Sequence, residues 1–459
     1  MLAAWRFTIS NTLNNLPLVL SDAIKNNKFD NALAAIKSLR PIDLADTLAL
    51  IDPNLSWRLL ELLPNRAEVF TYFAAEQQVR LARELPRATL AKLVSEMPAD
   101  ERTDLFKRFD QNQRDALLPA LAQAERENIR QLSAYVEGTA GALMTSDYAM
   151  LKKDMTVAEA MAALRNEAPD AETIYQAYVV DEQRQLLGVV SLRELILADV
   201  NSTIKDLMTS DVVSAEATDD QEDIAKTIAR YDLLALPITD DRGVLVGIVT
   251  HDDAIDITSI EVTEDIHKSA GVSTVVGNLK DASIGLLYRK RVFWLVLLVF
   301  GNLFSGAGIA HFEDIIAANL VLVFFLPLLV DSGGNAGSQS ATLMVRALAT
   351  GEVVMRDWLY LIGREALVAL ALGCTMALAV SVLGYVRGDA TISLVLALSM
   401  TAIVMIGCLI GMSLPFILSR LNFDPASASA PLITSVCDAV GVVIYLFIAA
   451  HFLADVSLA

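Results

Sequence analysis

Residues 431–450 read PLITSVCDAVGVVIYLFIAA, an apolar run long enough to cross a bilayer, with one acid, Asp438, near its middle. A charged side chain at the bilayer centre costs roughly 2.5–3.5 kcal/mol, so such groups normally face a bundle interior or a wet pathway. Thr434, Asp438, Gly441 and Tyr445 recur at helical intervals, which puts the acid on a face with small or hydroxyl side chains. Polar adhesion between helices and proton relay are open roles for it. The segment carries no Lys or Arg to pair with the acid, which favours an ion pathway.

A second acidic group lies in HDDAIDITSIEVTEDIHK. Asp253, Asp256, Glu261, Glu264 and Asp265 lie along an expected helix, where three- and four-residue spacings put carboxylates on neighbouring surface. The surrounding window 201–265 holds sixteen Asp and Glu against four Lys and Arg. One reading is a solvated acidic face. The other is a cation site, because like charges this dense repel unless an ion neutralises them. Hard divalent ions such as Mg2+ take carboxylate oxygens and water, and no His or Cys cluster competes for a softer metal. The pattern therefore suggests a cytoplasmic Mg2+ sensor, and it would repel nucleic acid.

These groups need two different settings. The chain has 459 residues, is 54% hydrophobic and carries a formal net charge of −19. Its mean hydropathy of +0.46 is too high for a wholly soluble protein. From 291 onward there are ten acids, six arginines and no lysine, whereas residues 1–290 mix apolar and charged positions. The expected architecture is a soluble first part followed by a membrane part. Cys374, Cys408 and Cys437 all lie in apolar runs with no metal-type spacing, which argues against disulfides and zinc. The first residues, MLAAWRFTISNTLNNLPLVLSD, lack a continuous apolar core and are read as mature protein.

Within the soluble part, LLELLP, LARELP and LVSEMP mark short helices ended by proline, an all-α stack. A repeat follows. LMTSD occurs at 143–147 and 207–211, and LLGVVSLRELI (186–196) is echoed by LVGIVTHDDAI (245–255). Each copy reads as extended segment, helix, strand, turn, strand and helix. The α/β pair resembles tandem CBS domains, and such pairs often bind ATP or another adenine nucleotide. No Gly-rich phosphate loop accompanies it.

Five apolar spans are expected, at about 292–311, 315–341, 361–385, 392–417 and 431–453. Arg289, Lys290, Arg291, Arg346, Arg356, Arg364 and Arg420 flank one side and little beyond Arg387 the other. The positive-inside rule then puts the N-terminus in the cytoplasm and the C-terminus outside. The second span contains PLLVDSGGNAGSQS. Its glycines fit either tight helix packing or unwound backbone along a cavity, and Asn335 and Gln339 favour a polar pathway.

Together, PLLVDSGGNAGSQ, FDPASASAPLITSVCDAVG and EVTEDIHK resemble the MgtE family of magnesium channels and transporters over nearly the whole chain. The resemblance implies a helical N-terminal domain (1–135), a CBS pair (136–256), a connecting helix (257–288) and a five-span pore domain (289–459). It implies a homodimer in a bacterial-type plasma membrane, surrounded by lipid. Asp438 from each subunit would bind a largely hydrated Mg2+, with Asn335, Gly334 and Thr434 lining the pore. The implied sensor acids are Asp220, Glu222, Asp232, Asp253, Asp256, Glu261, Glu264 and Asp265, with Asp424 at the membrane edge. Asp100, Glu101 and Asp104 are further candidates in the N-terminal domain. Mg2+ held there would favour a closed pore. Other readings are a proton-coupled or other divalent-cation carrier, and a membrane-anchored ion or nucleotide sensor that transports nothing. An enzyme is disfavoured, since no nucleophile-base pair, P-loop or His-rich site occurs among only four histidines.

Overall fold

A computed structural model describes residues 16–37, 39–168, 171–273 and 282–453. The chain divides into two compact units, Met1–Ser259 and Ile260–Ala459.

The first unit opens with short helices, among them Pro41–Ala49, Pro53–Leu60, Ala75–Glu84, Arg87–Ser95 and Ala99–Arg108. Pro41 and Pro53 occupy first helical positions, while Pro86 and Pro98 sit at helix N-caps. Proline can hold each of these places because no intrahelical N–H bond is needed there. Leu48, Leu59, Phe70, Leu93 and Leu105 form the shared core. Arg102 is buried with them, and its guanidinium donates to the carbonyls of Val94 (3.1 Å) and Met97 (2.8 Å) at the end of the preceding helix.

Two three-stranded sheets follow. Strands β1 (Tyr148–Lys152), β2 (Thr173–Val180) and β3 (Leu186–Ser191) pair in that order, and β4 (Ala215–Glu216), β5 (Ala235–Thr239) and β6 (Leu245–Thr250) repeat the arrangement. In each sheet the first pair is parallel and the second antiparallel. The repeated LMTSD segments do not stay with their own copy. Thr145 exchanges both backbone hydrogen bonds with Ile248 on β6, and Thr209 does so with Val189 on β3. This crossing explains Gly188 and Gly247. A Cβ on Gly188 would meet the Met208 sulfur at 2.9 Å, and one on Gly247 would meet Met144 at 2.6 Å. The internal repeat is thus a pair of interlocked units.

The helix His251–Ser269 starts directly after β6, six residues before the expected position 257. Ala254 and Ile257 on its first turns pack with Ile224, Ile228 and Ala99. Part of the expected connecting stretch, 274–281, lies outside the described residues.

In the second unit, five helices among the described residues are long and apolar enough to cross a membrane: Ile284–His311, Val321–Ala349, Met355–Arg387, Ala390–Arg420 and Ala430–Leu453. The second begins later than expected, because Glu313–Ala318 forms a separate short helix before it. It also continues unbroken from Val321 to Ala349 with Pro327 inside, so the Gly-rich stretch is helical and not unwound. Its glycines instead press against the fourth span. A Cβ on Gly407 would collide with the Gly333 carbonyl oxygen, and one on Gly411 with that of Gly337. Small residues let two backbones touch where no hydrophobic drive exists between apolar helices.

Gly411→Ala is expected to lower the thermal midpoint of the detergent-solubilised protein, by the ~1–3 kcal/mol typical of overpacking, because the obstacle is backbone. Gly363→Ala, which meets nothing within 4 Å, is the neutral control. Equal midpoints for the two variants in a thermal-unfolding assay would contradict this packing.

Candidate ion pathway and regulatory metal sites

The close contact of the second and fourth spans decides which side of the second span faces out. Gly333, Gly334, Ala336, Gly337, Ser340 and Ala341 are buried, whereas Asp331, Asn335, Gln339 and Thr342 are exposed. The exposed residues follow one another at four, four and three positions, one continuous helical face. Asn335 Nδ2 donates to Asp331 Oδ2 at 2.9 Å, and Thr342 donates to the Ser338 carbonyl at 2.8 Å. A polar stripe on the outside of a single membrane bundle is costly against lipid.

The fifth span runs antiparallel beside it. Gly334 lies against Thr434, with a Cβ contact of 3.1 Å, and Gly441 lies against Val330 at 3.9 Å. Asp438, half-buried between those two contact points, therefore falls level with Asp331. The two carboxylates are within electrostatic reach of one another. Thr434 and Gly334 thus meet one turn from Asp438. Tyr445 does not share this setting. Its hydroxyl donates to the Leu322 carbonyl at 3.1 Å inside the bundle. A further acid, Glu365 on the third span, accepts a hydrogen bond from Ser340 at 2.5 Å and ties that span to the second.

The regulatory candidates separate by unit. In the first, Asp220 caps the helix Gln221–Tyr231 by accepting from Glu222 N–H, while Glu222 pairs with Lys226 at 2.9 Å. Asp232 ends the same helix in the left-handed region with φ 51°. Asp256 is exposed on the next helix, and Asp253 accepts from the Thr250 hydroxyl at 2.5 Å. What sequence spacing does not reveal is that the helix Ala99–Arg108 brings its first turn to Asp253. Burial, with repulsion from Asp253 and Glu172, pushes Asp100 well above the usual carboxylate range. Burial beside Asp104 pushes Glu101 up to about 7. Asp104, Glu172 and Asp253 are raised as well, chiefly by burial. One oxygen of Asp100 is buried without a hydrogen-bond partner. Glu172 was not singled out from sequence, since it lies just before β2 and far from the other acids along the chain.

In the second unit, Lys268 stands between two candidate ligands, at 2.6 Å from Glu264 and 2.5 Å from Asp424. Burial opposes its charge, but the two carboxylates outweigh this and hold the ammonium above its usual range. Asp424 also caps the turn Pro425–Ser427. Glu261 and Asp265 lie on the same helix as Lys268 and have interactions of their own. Among the described residues, no three His, Cys, Asp or Glu side chains converge closely enough to hold a metal ion. These acids thus stand as separate pairs and small groups within each unit.

Family models match in the order of these elements: "MgtE intracellular N domain" over 39–138, "CBS domain" over 140–201 and 204–259, and "Divalent cation transporter" over 326–448. The magnesium transporter MgtE of Thermus thermophilus is 36% identical over 439 residues, covering 95% of this chain and 98% of that one. The chain belongs to the MgtE family. The crystal structure of the soluble part of a magnesium transporter aligns with a TM-score of 0.51 at 34% identity, covering 54% of this chain and 99% of that one. The cytosolic domain of the Mg2+ channel MgtE in complex with ATP aligns with a TM-score of 0.50 at 34% identity, covering 52% and 99% respectively. This MgtE protein is accordingly a multi-pass membrane protein with a CBS pair in its soluble part.

The acids around Asp100 carry a pH signature. Glu101 has a folded pKa of about 7 against an ordinary 4.5, so its burial destabilises the fold above pH 7. That penalty is relieved as pH falls from about 7 toward 4.5. In metal-free buffer the thermal midpoint of wild type minus that of Glu101→Gln is expected to rise between pH 8 and pH 6. A difference that stays flat over that range would remove the argument for a buried ionisable Glu101.

Proposed function

We propose that this MgtE protein is a Mg2+-selective channel or transporter for magnesium uptake, closed by cytoplasmic Mg2+. The observation that carries this reading is the exposed polar stripe of the second span beside Asp438. Lipid is a poor neighbour for Asp331, Asn335 and Gln339. A second copy of the chain, placed so that the two stripes face each other, removes them from lipid and lines a water-filled path. The oligomer is then a homodimer with its pore on the two-fold axis. Two Asp438 carboxylates would balance the charge of an Mg2+ that keeps most of its water, as this ion prefers. Thr434, Gly334 and Asn335 line the path beside it, and the outer surfaces of the spans meet lipid.

The regulatory part rests on charge. Asp100, Glu101, Asp104 and Asp253, all half-buried, and the exposed Glu172 lie near one another in the first unit, and a buried Asp100 oxygen without a hydrogen-bond partner suits a hard cation. Residues Asp220, Glu222, Asp232, Asp256, Glu261, Glu264, Asp265 and Asp424 complete the sensor set by their match to the family. Mg2+ supplies positive charge that relieves repulsion and favours the compact, closed arrangement. In the second unit the Lys268 ammonium already compensates Glu264 and Asp424, so a divalent ion acts there by sharing or displacing it. The CBS pair takes an adenine nucleotide, a reading supported by the relative whose cytosolic domain was solved in complex with ATP.

The same reading assigns 1–135 to a helical domain, 136–256 to the CBS pair, 257–288 to the connecting segment and 289–459 to the pore. The helix leading to the pore begins already at His251. Arg289, Lys290, Arg291, Arg346, Arg356, Arg364 and Arg420 support an N-terminus in the cytoplasm and a C-terminus outside.

The test is Mg2+ influx into liposomes containing the purified protein at low and high Mg2+ on the cytoplasmic face. Wild type should conduct at low Mg2+ and be suppressed at high Mg2+. Asp438→Ala should abolish influx, and Asp256→Asn with Glu261→Gln should relieve the suppression. Folded wild type that passes no Mg2+ would leave a sensor without transport, and flux that follows a pH gradient would point to a proton-coupled carrier.

A further inference from the structure

The acid in the pathway that neither the sequence reading nor the family assignment singles out is Asp331. It projects from the exposed face of a membrane-spanning helix, four residues before Asn335, and a carboxylate there has no low-energy partner in lipid. The register of the neighbouring span fixes its depth. Gly334 against Thr434 and Gly441 against Val330 bracket Asp438, so the two acids lie at one level on adjacent helices. Asn335 supplies Asp331 with one amide N–H at 2.9 Å, which aims the carboxylate along the stripe and leaves its other oxygen free of that bond. Among the described residues, no Lys or Arg forms an ion pair with Asp331 or Asp438.

We infer that Asp331 is a second cation-binding carboxylate of the ion pathway, acting with Asp438 on one hydrated divalent ion. This rests on the pore reading above and deepens it. In a two-fold assembly the level of Asp438 would carry four carboxylates instead of two. Two acids match the charge of a single divalent ion. Four exceed it, and the excess strengthens capture of a doubly charged ion over a singly charged one. Because Mg2+ keeps its water, the interaction is outer-sphere, through the hydration shell, and geometry as strict as direct coordination is not required. For a doubly charged ion roughly 6 Å away in a watery path, one carboxylate charge contributes about a factor of ten in affinity. Asn335 becomes the positioning residue that holds Asp331 in place.

The experiment compares Asp331→Asn, Asp331→Glu and Asp438→Asn in the liposome influx assay, with each variant first shown to be a monodisperse folded protein. Asp331→Asn preserves shape and removes charge. Because both subunits lose the charge, its apparent KM for Mg2+ should rise by about a hundredfold, two factors of ten, and block by cobalt(III) hexaammine, a mimic of hydrated Mg2+, should weaken in parallel. Asp331→Glu restores the charge and should return both values toward wild type. Asp438→Asn should abolish influx. If Asp331→Asn leaves KM and block unchanged while Asp438→Asn abolishes influx, the pathway stands and Asp331 has no part in binding. If neither variant changes influx, the pore reading itself falls and the proposal falls with it.

Discussion

The arrangement of the membrane unit follows from one constraint, the backbone contact of Gly333 and Gly337 with Gly407 and Gly411. Helices in an apolar medium gain little from burying apolar side chains, so close packing must hold them. Once the glycine face of the second span is committed to the fourth, the opposite face has no freedom. Asp331, Asn335, Gln339 and Thr342 are turned outward, and Thr434 against Gly334 brings Asp438 to the same edge. Tight packing and an exposed polar stripe are therefore two sides of one helix.

The soluble unit shows a different use of close approach. Gly188 and Gly247 admit the LMTSD segment of the other copy, so neither CBS unit closes its sheet alone. The interlock leads β6 directly into the helix His251–Ser269, whose first turn meets that of Ala99–Arg108. Two helix N-termini that both carry acids meet in a buried place. The positive ends of the helices offset part of the repulsion, while burial raises the cost of each charge. The result is a contact whose stability depends on pH.

Charge compensation differs between the units. Asp100, Glu101 and Asp253 stand with little cationic help, whereas Glu264 and Asp424 share Lys268. An ammonium can hold a carboxylate pair at any Mg2+ concentration, because it is tethered. Among the described residues, Asp100, Glu101 and Asp253 have no such ion pair.

Much of this organisation is legible from residue order. Hydropathy alone yields five spans, because a span needs about twenty apolar residues wherever it packs. The duplicated LMTSD and GVV/GIV segments reveal the CBS pair, and a single acid in an apolar run singles out Asp438 as a candidate. Local sequence also explains the proline-punctuated helices. It could not say whether PLLVDSGGNAGSQS unwinds or packs, since glycine permits both, and only the fourth span's backbone decides that it stays helical. It could not bring Asp331 level with Asp438, because helix register depends on which small residues touch across an interface. Nor could it join Asp100 to Asp253 and Glu172, or place Lys268 between Glu264 and Asp424. Those relations link residues remote along the chain, and their energies arise from burial and proximity, which exist only after the chain has folded.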